Sequence, residues 1–349
     1  MTELTEFLRH RIETTGPLPV ADFMSACLVH PQWGYYTRKD PLGAAGDFIT
    51  APEISQMFGE LIGLWAGIVW QSMGEPSEVV VAELGPGRGT LMADFLRASD
   101  MLPAFRRALR VHLVEISPAL RAIQHQTLKD EHITWLDDAR NLPDGPLLLI
   151  ANEFFDALPI RQFVKRVDGW HERLVGLDGA KLVMTDGPVV DIDTPEAGPG
   201  DIFEVNSQAR NYARWLGCRL TDQGGAALII DYGHANSAVG DTLQAVRGHR
   251  YADILDSPGD VDLSAHVDFQ AIADAASPAI ATDVVTQGAF LRSLGIELRA
   301  DRLITAAPQK ADVIATACRR LIEPSGMGTL FKVRALTHPG LPTPPGFVR

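Results

Sequence analysis

A run of aliphatic residues, Val79-Val80-Val81-Ala82, leads into Glu83-Leu84-Gly85-Pro86-Gly87-Arg88-Gly89-Thr90. Glycines at the end of a strand let the backbone turn sharply and approach a ligand, because no Cβ stands in the way. A dinucleotide fingerprint G-x-G-x-x-G starting at Gly85 would need a glycine at position 90, but that residue is Thr90 and the third glycine is Gly89. In the form E-x-G-x-G-x-G no pyrophosphate has to be cradled. Glu83 ends the strand, where a carboxylate accepts from an ammonium group, and Gly85, Gly87 and Gly89 leave room for an amino-acid and a ribose moiety. This is the form expected of a site for S-adenosylmethionine, whose chemistry is methyl transfer from a sulfonium.

Further polar residues follow at the expected strand ends. Glu115 closes Val111-His112-Leu113-Val114-Glu115, where an acidic side chain reaches two ribose hydroxyls in both nicotinamide and S-adenosylmethionine proteins. Asp138, after Ile133 to Leu136, suits a carboxylate accepting from an adenine amino group, or equally a helix N-cap. Asn152-Glu153 closes the next apolar run, and the crevice outside carboxyl strand ends is where such sheets bind ligands. The ten histidines contain no H-x-x-x-H or H-E-x-x-H, and no G-x-S-x-G occurs. Zinc and serine hydrolysis therefore lack support, and no metal site is expected.

The elements that must position these residues read as an α/β fold. From Val79 onward, short apolar runs alternate with helical stretches, the signature of a doubly wound parallel sheet. The strand candidates are Val79 to Leu84, Val111 to Ile116, Ile133 to Leu136, Leu147 to Ala151 and Ala226 to Asp231, with a closing strand from Gly328 to Arg334. Before them, Leu4 to about Ala26 reads as a helical pair broken at Gly16-Pro17-Leu18-Pro19. A Gly-rich stretch from Gly43 to Asp47 precedes a helix expected from Thr50, its N-cap, to about Trp70. Between Gln162 and Thr185 apolar and polar residues alternate around Asp168-Gly169 and Asp178-Gly179, which predicts an inserted antiparallel meander. Pro188 to Asp201 reads as a solvated loop, Asn206 to Leu216 as a helix, and His234 to Asp268 as loop-rich.

The 349 residues, 46% of them hydrophobic and 21% charged, describe an ordinary globular protein. A net charge of -13 argues against a broad phosphate-contacting surface, so no nucleic-acid partner is expected. Cys27, Cys218 and Cys318 are far apart and form no C-x-x-C pair, which fits a reducing compartment. Glu3 and Glu6 precede any basic residue, and no stretch is long and uncharged enough to span a bilayer. The expectation is a soluble, cytoplasmic protein without stable membrane insertion.

With these motifs in place, the sequence resembles the class I methyltransferases, and more closely the MidA-like family of complex I assembly methyltransferases. The resemblance runs through Gly34-Tyr35-Tyr36, Gly46-Asp47-Phe48-Ile49-Thr50-Ala51-Pro52-Glu53, Glu83 to Gly89, Asn152-Glu153-Phe154-Phe155-Asp156-Ala157-Leu158-Pro159 and Asp231-Tyr232-Gly233. It implies a Rossmann-like sheet (76–160 and 202–349), an N-terminal helical and cofactor-covering segment (1–75), and an insert (161–201). It also implies methylation of arginine on a protein substrate, with a complex I peripheral-arm subunit as target in the mitochondrial members. Thr50 and Pro52 match the family's segment over the cofactor, and they also suit helix initiation.

An arginine guanidinium stays protonated in water, so methylating it calls for carboxylates that hold its planar fork and accept a proton. Glu153 and Asp156 are the candidates, with Phe154 and Phe155 as pocket walls; Asp156 also suits a helix N-cap and the two phenylalanines suit ordinary core. His266 is a candidate general base, with Asp231 nearby in the sheet, although a lone histidine more often serves structure. An assembly chaperone of the same fold with secondary or lost catalysis, and a small-molecule methyltransferase, remain open as alternatives.

Overall fold

The computed structural model describes residues 2–38, 50–248 and 250–347. The Gly43 to Asp47 stretch and Phe48-Ile49 lie outside the described residues.

The central sheet runs Ile133–Leu136, Leu109–Val114, Val79–Leu84, Leu147–Asn152, Gly225–His234 and Phe331–Thr337, parallel except for the last, which is antiparallel to its neighbour. Val79–Leu84 and Leu147–Asn152 are buried at every position, as strands covered on both faces must be. Their side chains divide by alternation. Val79, Val81, Leu148 and Ile150 meet the helices Gln56–Ser72 and Thr90–Ser99 on one face. Val80, Ala82, Leu147 and Leu149 meet Ser207–Gln223 and Phe269–Ala275 on the other. Strand order reverses between Val79–Leu84 and Leu147–Asn152, and the crevice at such a switch point is the ligand position of doubly wound sheets.

The insert forms its own antiparallel sheet, Arg161–Arg166, Gly169–Asp178 and Lys181–Val190, with the turns where Gly169 and Gly179 take positive φ. The opening helices, Glu3–Thr15 and Val20–Val29, belong to this sheet more than to the central one. Leu18 and Pro19 pair with Val175 and Leu174, and Leu8, Phe23 and Cys27 pack with Val175 and Leu263.

Several expectations shift. The helix expected from Thr50 to Trp70 is two helices, Ala51–Ile54 and Gln56–Ser72: Ser55 is extended (φ -164°) and its hydroxyl accepts from Met57 N at 3.2 Å, capping the second. The loop expected to Asp201 ends at a strand, Ile202–Val205, that pairs with Arg161–Arg166; its short, polar-flanked pattern carries little periodicity. The loop-rich stretch contains a small sheet of Arg250–Ala252, Gln244–Arg247 and Asp262–Ser264. The closing strand begins at Phe331, not Gly328, because Gly328 packs against the end of helix Ala311–Ile322, where a Cβ would come within 2.1 Å of Ile322 O. No helix among the described residues is long and apolar enough to cross a membrane.

Candidate functional site

The glycine turn sits at the switch point. Gly85, Gly87 and Gly89 have φ of 59°, 54° and 80°, a region L-residues enter only at a cost. A Cβ at Gly85 would stand 3.1 Å from the Phe154 ring. A cavity of about 610 Å³ opens beside the turn, within the range of small-molecule sites. Of the catalytic and cofactor candidates it brings together all but Gly89 and Asp138; Phe154 lines it as expected, but Phe155 is buried in the core and forms no wall. Gly89 instead caps the helix Thr90–Ser99 and faces Leu128 and Gln124. Asp138 caps the short turn Ala139–Asn141 and pairs with Arg140, accepting from its backbone N and Nε at 2.9 Å. The structure therefore displays the capping alternative for Asp138.

Two buried acceptors on the cavity lining, Glu83 Oε2 and Asn152 Oδ1, have no hydrogen-bond partner among the described residues. Burial pushes the Glu83 carboxyl well above its ordinary value. An orphaned buried acceptor costs about 1–3 kcal/mol, so this pair fits a ligand that brings donors, as an ammonium does. Glu115 Oε1 accepts from Ser117 N at 2.7 Å and Oε2 from Gln124 Nε2 at 3.3 Å, while the same amide donates to Gly87 O at 2.7 Å. Gln124 thus ties the second carboxylate to the glycine turn. A carboxylate has about four lone-pair sites, which leaves capacity for hydroxyl donors.

The segment at Thr50 is pinned over the cavity from two sides. Ala51 N donates to Glu153 Oε1 at 3.3 Å, and Thr90 Oγ1 donates to Glu53 Oε1 at 2.5 Å. Glu153 takes φ 51°, a conformation rarely adopted by a residue with a Cβ and one that clusters at active sites.

Glu153, Asp156 and Asp231 form an acidic group behind the fourth strand end. Asp231 is fully buried and accepts from the backbone N–H groups of Phe155, Asp156 and Tyr232 at 2.9 to 3.2 Å. It shapes the loop that carries Asp156, and its hydrogen bonds among the described residues go to that backbone and not to His266. Asp156 lies in this loop and heads no helix. Burial, then the charge of Asp156, raises Glu153 from 4.5 to about 7; burial also raises Asp156, and burial followed by repulsion from Asp156 and Glu153 raises Asp231. None of the groups setting these values is a lysine or arginine.

A pH dependence follows. Between the unfolded value of 4.5 and about 7 the native Glu153 carboxyl holds a proton that the unfolded chain releases, so stability falls as pH rises across that window. Where the pair holds a cationic substrate its ionised form does so, and on that expectation activity rises across the same window. Denaturant midpoints and initial rates measured from pH ~4.5 to ~8 are expected to slope in opposite directions.

The Asp156 loop is held from below by Asn206. Its Oδ1 caps Ser207–Gln223 by accepting from Ala209 N at 2.8 Å, and its Nδ2 donates to Leu158 O at 3.0 Å. Asn206→Ala removes both and is expected to cost about 1–2 kcal/mol in urea unfolding.

Sequence reading missed part of the wall. Tyr36 OH donates to Asp262 at 3.0 Å, Gln244 Nε2 donates to Tyr232 OH at 2.9 Å, and Tyr232 OH also meets Ser264 Oγ. Tyr36 and Tyr232 lie in segments already singled out; Gln244, Asp262 and Ser264 come from the loop-rich stretch and carry no motif. His266 packs edge-on against Tyr232 with ring centroids 5.3 Å apart, and burial, then His234 and Lys332, lowers its pKa. Its surroundings on the cavity wall therefore favour the neutral imidazole over the cation.

Sheet order, glycine turn and cavity carboxylates define an S-adenosylmethionine-dependent methyltransferase of Rossmann-like fold. Residues 61–286 match the family described as "Putative S-adenosyl-L-methionine-dependent methyltransferase". The chain is 36% identical to the Danio rerio protein named protein arginine methyltransferase NDUFAF7, mitochondrial, over 94% of this chain and 85% of that one. For the Homo sapiens protein of that name the figures are 34%, 96% and 83%. A Burkholderia thailandensis protein solved with S-adenosyl-homocysteine superposes with a TM-score of 0.86 at 29% identity, covering 98% of this chain and 93% of that one. The chain belongs to the MidA-like methyltransferase family. The cytoplasmic expectation is corrected by the relatives, which are named mitochondrial; scattered, unpaired cysteines read alike in any reducing compartment.

Proposed function

We propose that this methyltransferase modifies arginine on a protein substrate, with Glu153 and Asp156 as the catalytic carboxylates. The observation that carries the reading is the acidic group of Glu153, Asp156 and Asp231, raised by burial and by mutual repulsion, with no lysine or arginine among the groups that set these values, at the cavity beside the glycine turn. Such a group favours a cationic acceptor, and a planar guanidinium matches paired carboxylates. The relatives named protein arginine methyltransferases support the same acceptor.

In this reading Glu83 and Asn152 hold the cofactor's amino-acid end and Glu115 its ribose. Gly85 and Gly87 give close backbone approach, Gly89 starts the helix behind them, and Thr50 and Pro52 cover the site. Asp138 serves the adenine only by sharing its carboxylate with Arg140. When bound, the cofactor supplies a methyl group: the N–C bond forms as the S–C bond breaks, with its electron pair left on sulfur. Glu153 and Asp156 hold the guanidinium and take the proton the nitrogen releases, and neutral His266 is a further acceptor for it. The segment at Thr50 and Pro52 acts as the cover and the central sheet as the catalytic core, with Gln56–Ser72 packed on it, while the insert from 161 extends to Val205 and takes the opening helices against its sheet. The family resemblance makes a complex I peripheral-arm subunit the protein we expect to carry the arginine.

Mass spectrometry of peripheral-arm subunits from cells with and without the gene tests this reading. A methylarginine present only with the gene supports it, and unchanged methylation in its absence sinks that target.

A further inference from the structure

The mouth of the cavity carries the opposite charge to its floor. Arg250 and Arg320 line the cavity and are exposed, and no ion pair engages either among the described residues. The chain's net charge is -13, and other arginines, Arg97, Arg106, Arg161 and Arg299 among them, hold a carboxylate within 3.2 Å. The two come from distant elements. Arg250 lies on the strand Arg250–Ala252, paired with Gln244–Arg247, and Arg320 on the helix Ala311–Ile322. Beside them stand Tyr251, 80% exposed, and Leu330, 52% exposed, both on the same cavity lining. Large apolar side chains at a cavity mouth next to unpaired arginines are the composition of a protein-contact surface.

We propose that this rim selects the sequence around the target arginine: an extended segment of the substrate protein enters arginine first, lays flanking acidic side chains on Arg250 and Arg320, and rests apolar neighbours on Tyr251 and Leu330. The inference rests on the arginine reading and adds the flanks. Charge complementarity decides the occupant. The floor offers Glu153 and Asp156 to one cation, and the rim offers two cations to carboxylates. A substrate basic throughout would meet its own charge at the rim, and one acidic throughout would meet the floor and the acidic surface as a whole. Rim charges act mainly on encounter and specificity, and salt screens them.

The test uses three labelled synthetic peptides sharing one arginine and the same apolar neighbours, with two Glu, two Ala or two Lys as flanks. Binding is read by fluorescence anisotropy with S-adenosyl-homocysteine present, and methyl transfer is read on the same peptides. The Glu-flanked peptide is expected to bind on the order of tenfold more tightly than the Lys-flanked one at low salt, with the gap narrowing at ~0.5 M salt. The double variant Arg250→Glu, Arg320→Glu is expected to reverse the ranking while cofactor affinity, measured by calorimetry, holds. Equal binding of the three peptides overturns the proposal. So does a double variant that loses cofactor affinity and keeps the ranking, since its arginines would then serve the cofactor. An acidic preference in binding with no methyl transfer to any peptide retires the arginine reading and keeps the rim; methyl transfer indifferent to the flanks does the reverse.

Discussion

Glu83→Gln is expected to weaken S-adenosylmethionine binding by roughly ten- to a hundredfold, because a hydrogen bond to a charged group contributes about 1.5–3 kcal/mol and each ~1.4 kcal/mol is tenfold. The fold is expected to survive unharmed. Glu83 is 3% exposed, its Oε2 has no partner among the described residues, and burial already resists its ionisation. An amide of the same shape removes the cost of a buried charge and keeps the packing. Unfolding free energy at neutral pH should therefore stay level or rise as affinity drops. A purely structural residue would lose both together. Calorimetric affinity within about threefold of the parent, a difference under ~1 kcal/mol, would remove Glu83 from the cofactor assignment.

Glu153→Gln is expected to lower kcat roughly 10²- to 10⁴-fold, the usual contribution of a positioned acid or base, with cofactor affinity nearly unchanged. The substitution keeps an oxygen for Ala51 N, which Glu153 Oε1 accepts from at 3.3 Å, so the segment at Thr50 stays in place. What disappears is the charge that faces Asp156. With it goes Glu153's share of the stability slope between pH 4.5 and about 7, while Asp156 and Asp231 keep theirs, and the shallower slope gives a second readout independent of activity. A variant that binds cofactor, retains the slope and turns over at the parental rate would show that Glu153 is a packing residue held in an unusual backbone conformation. A variant that binds its partner and cofactor yet fails to support complex I assembly would count against an assembly chaperone with dispensable catalysis.

The parallel core was legible because its strands are buried on both faces and read as unbroken apolar runs: Val79–Leu84 and Leu147–Asn152 appear within one residue of their expected bounds. The meander was legible for the opposite reason, alternation between two Asp-Gly turns. Elements set by partners escaped notice. Ile202–Val205 is a strand because Arg161–Arg166 offers it an edge, and the break at Ser55 follows from a side-chain cap within a continuous helical pattern. Glu83, Glu115, Asn152 and Glu153 were readable as site residues because each ends a strand, and a strand's carboxyl end has one place to point. Gln244, Asp262 and Ser264 carry no such mark; the small sheet of the loop-rich stretch brings them to Tyr36 and Tyr232.

The sequence by itself determined the cofactor, since a glycine at 89 and threonine at 90 are local facts of backbone geometry that need no partner. It determined the parallel core as well, through runs of residues too apolar to lie anywhere else. Only the tertiary structure decided the charge environment of the site. It placed Asp231 behind Asp156, gave Gly89 and Asp138 their capping positions away from the cavity, and set Arg250 and Arg320 at the rim above an acidic floor. Ionisation and charge complementarity depend on burial and on distances between residues remote in the chain, and those exist only after folding.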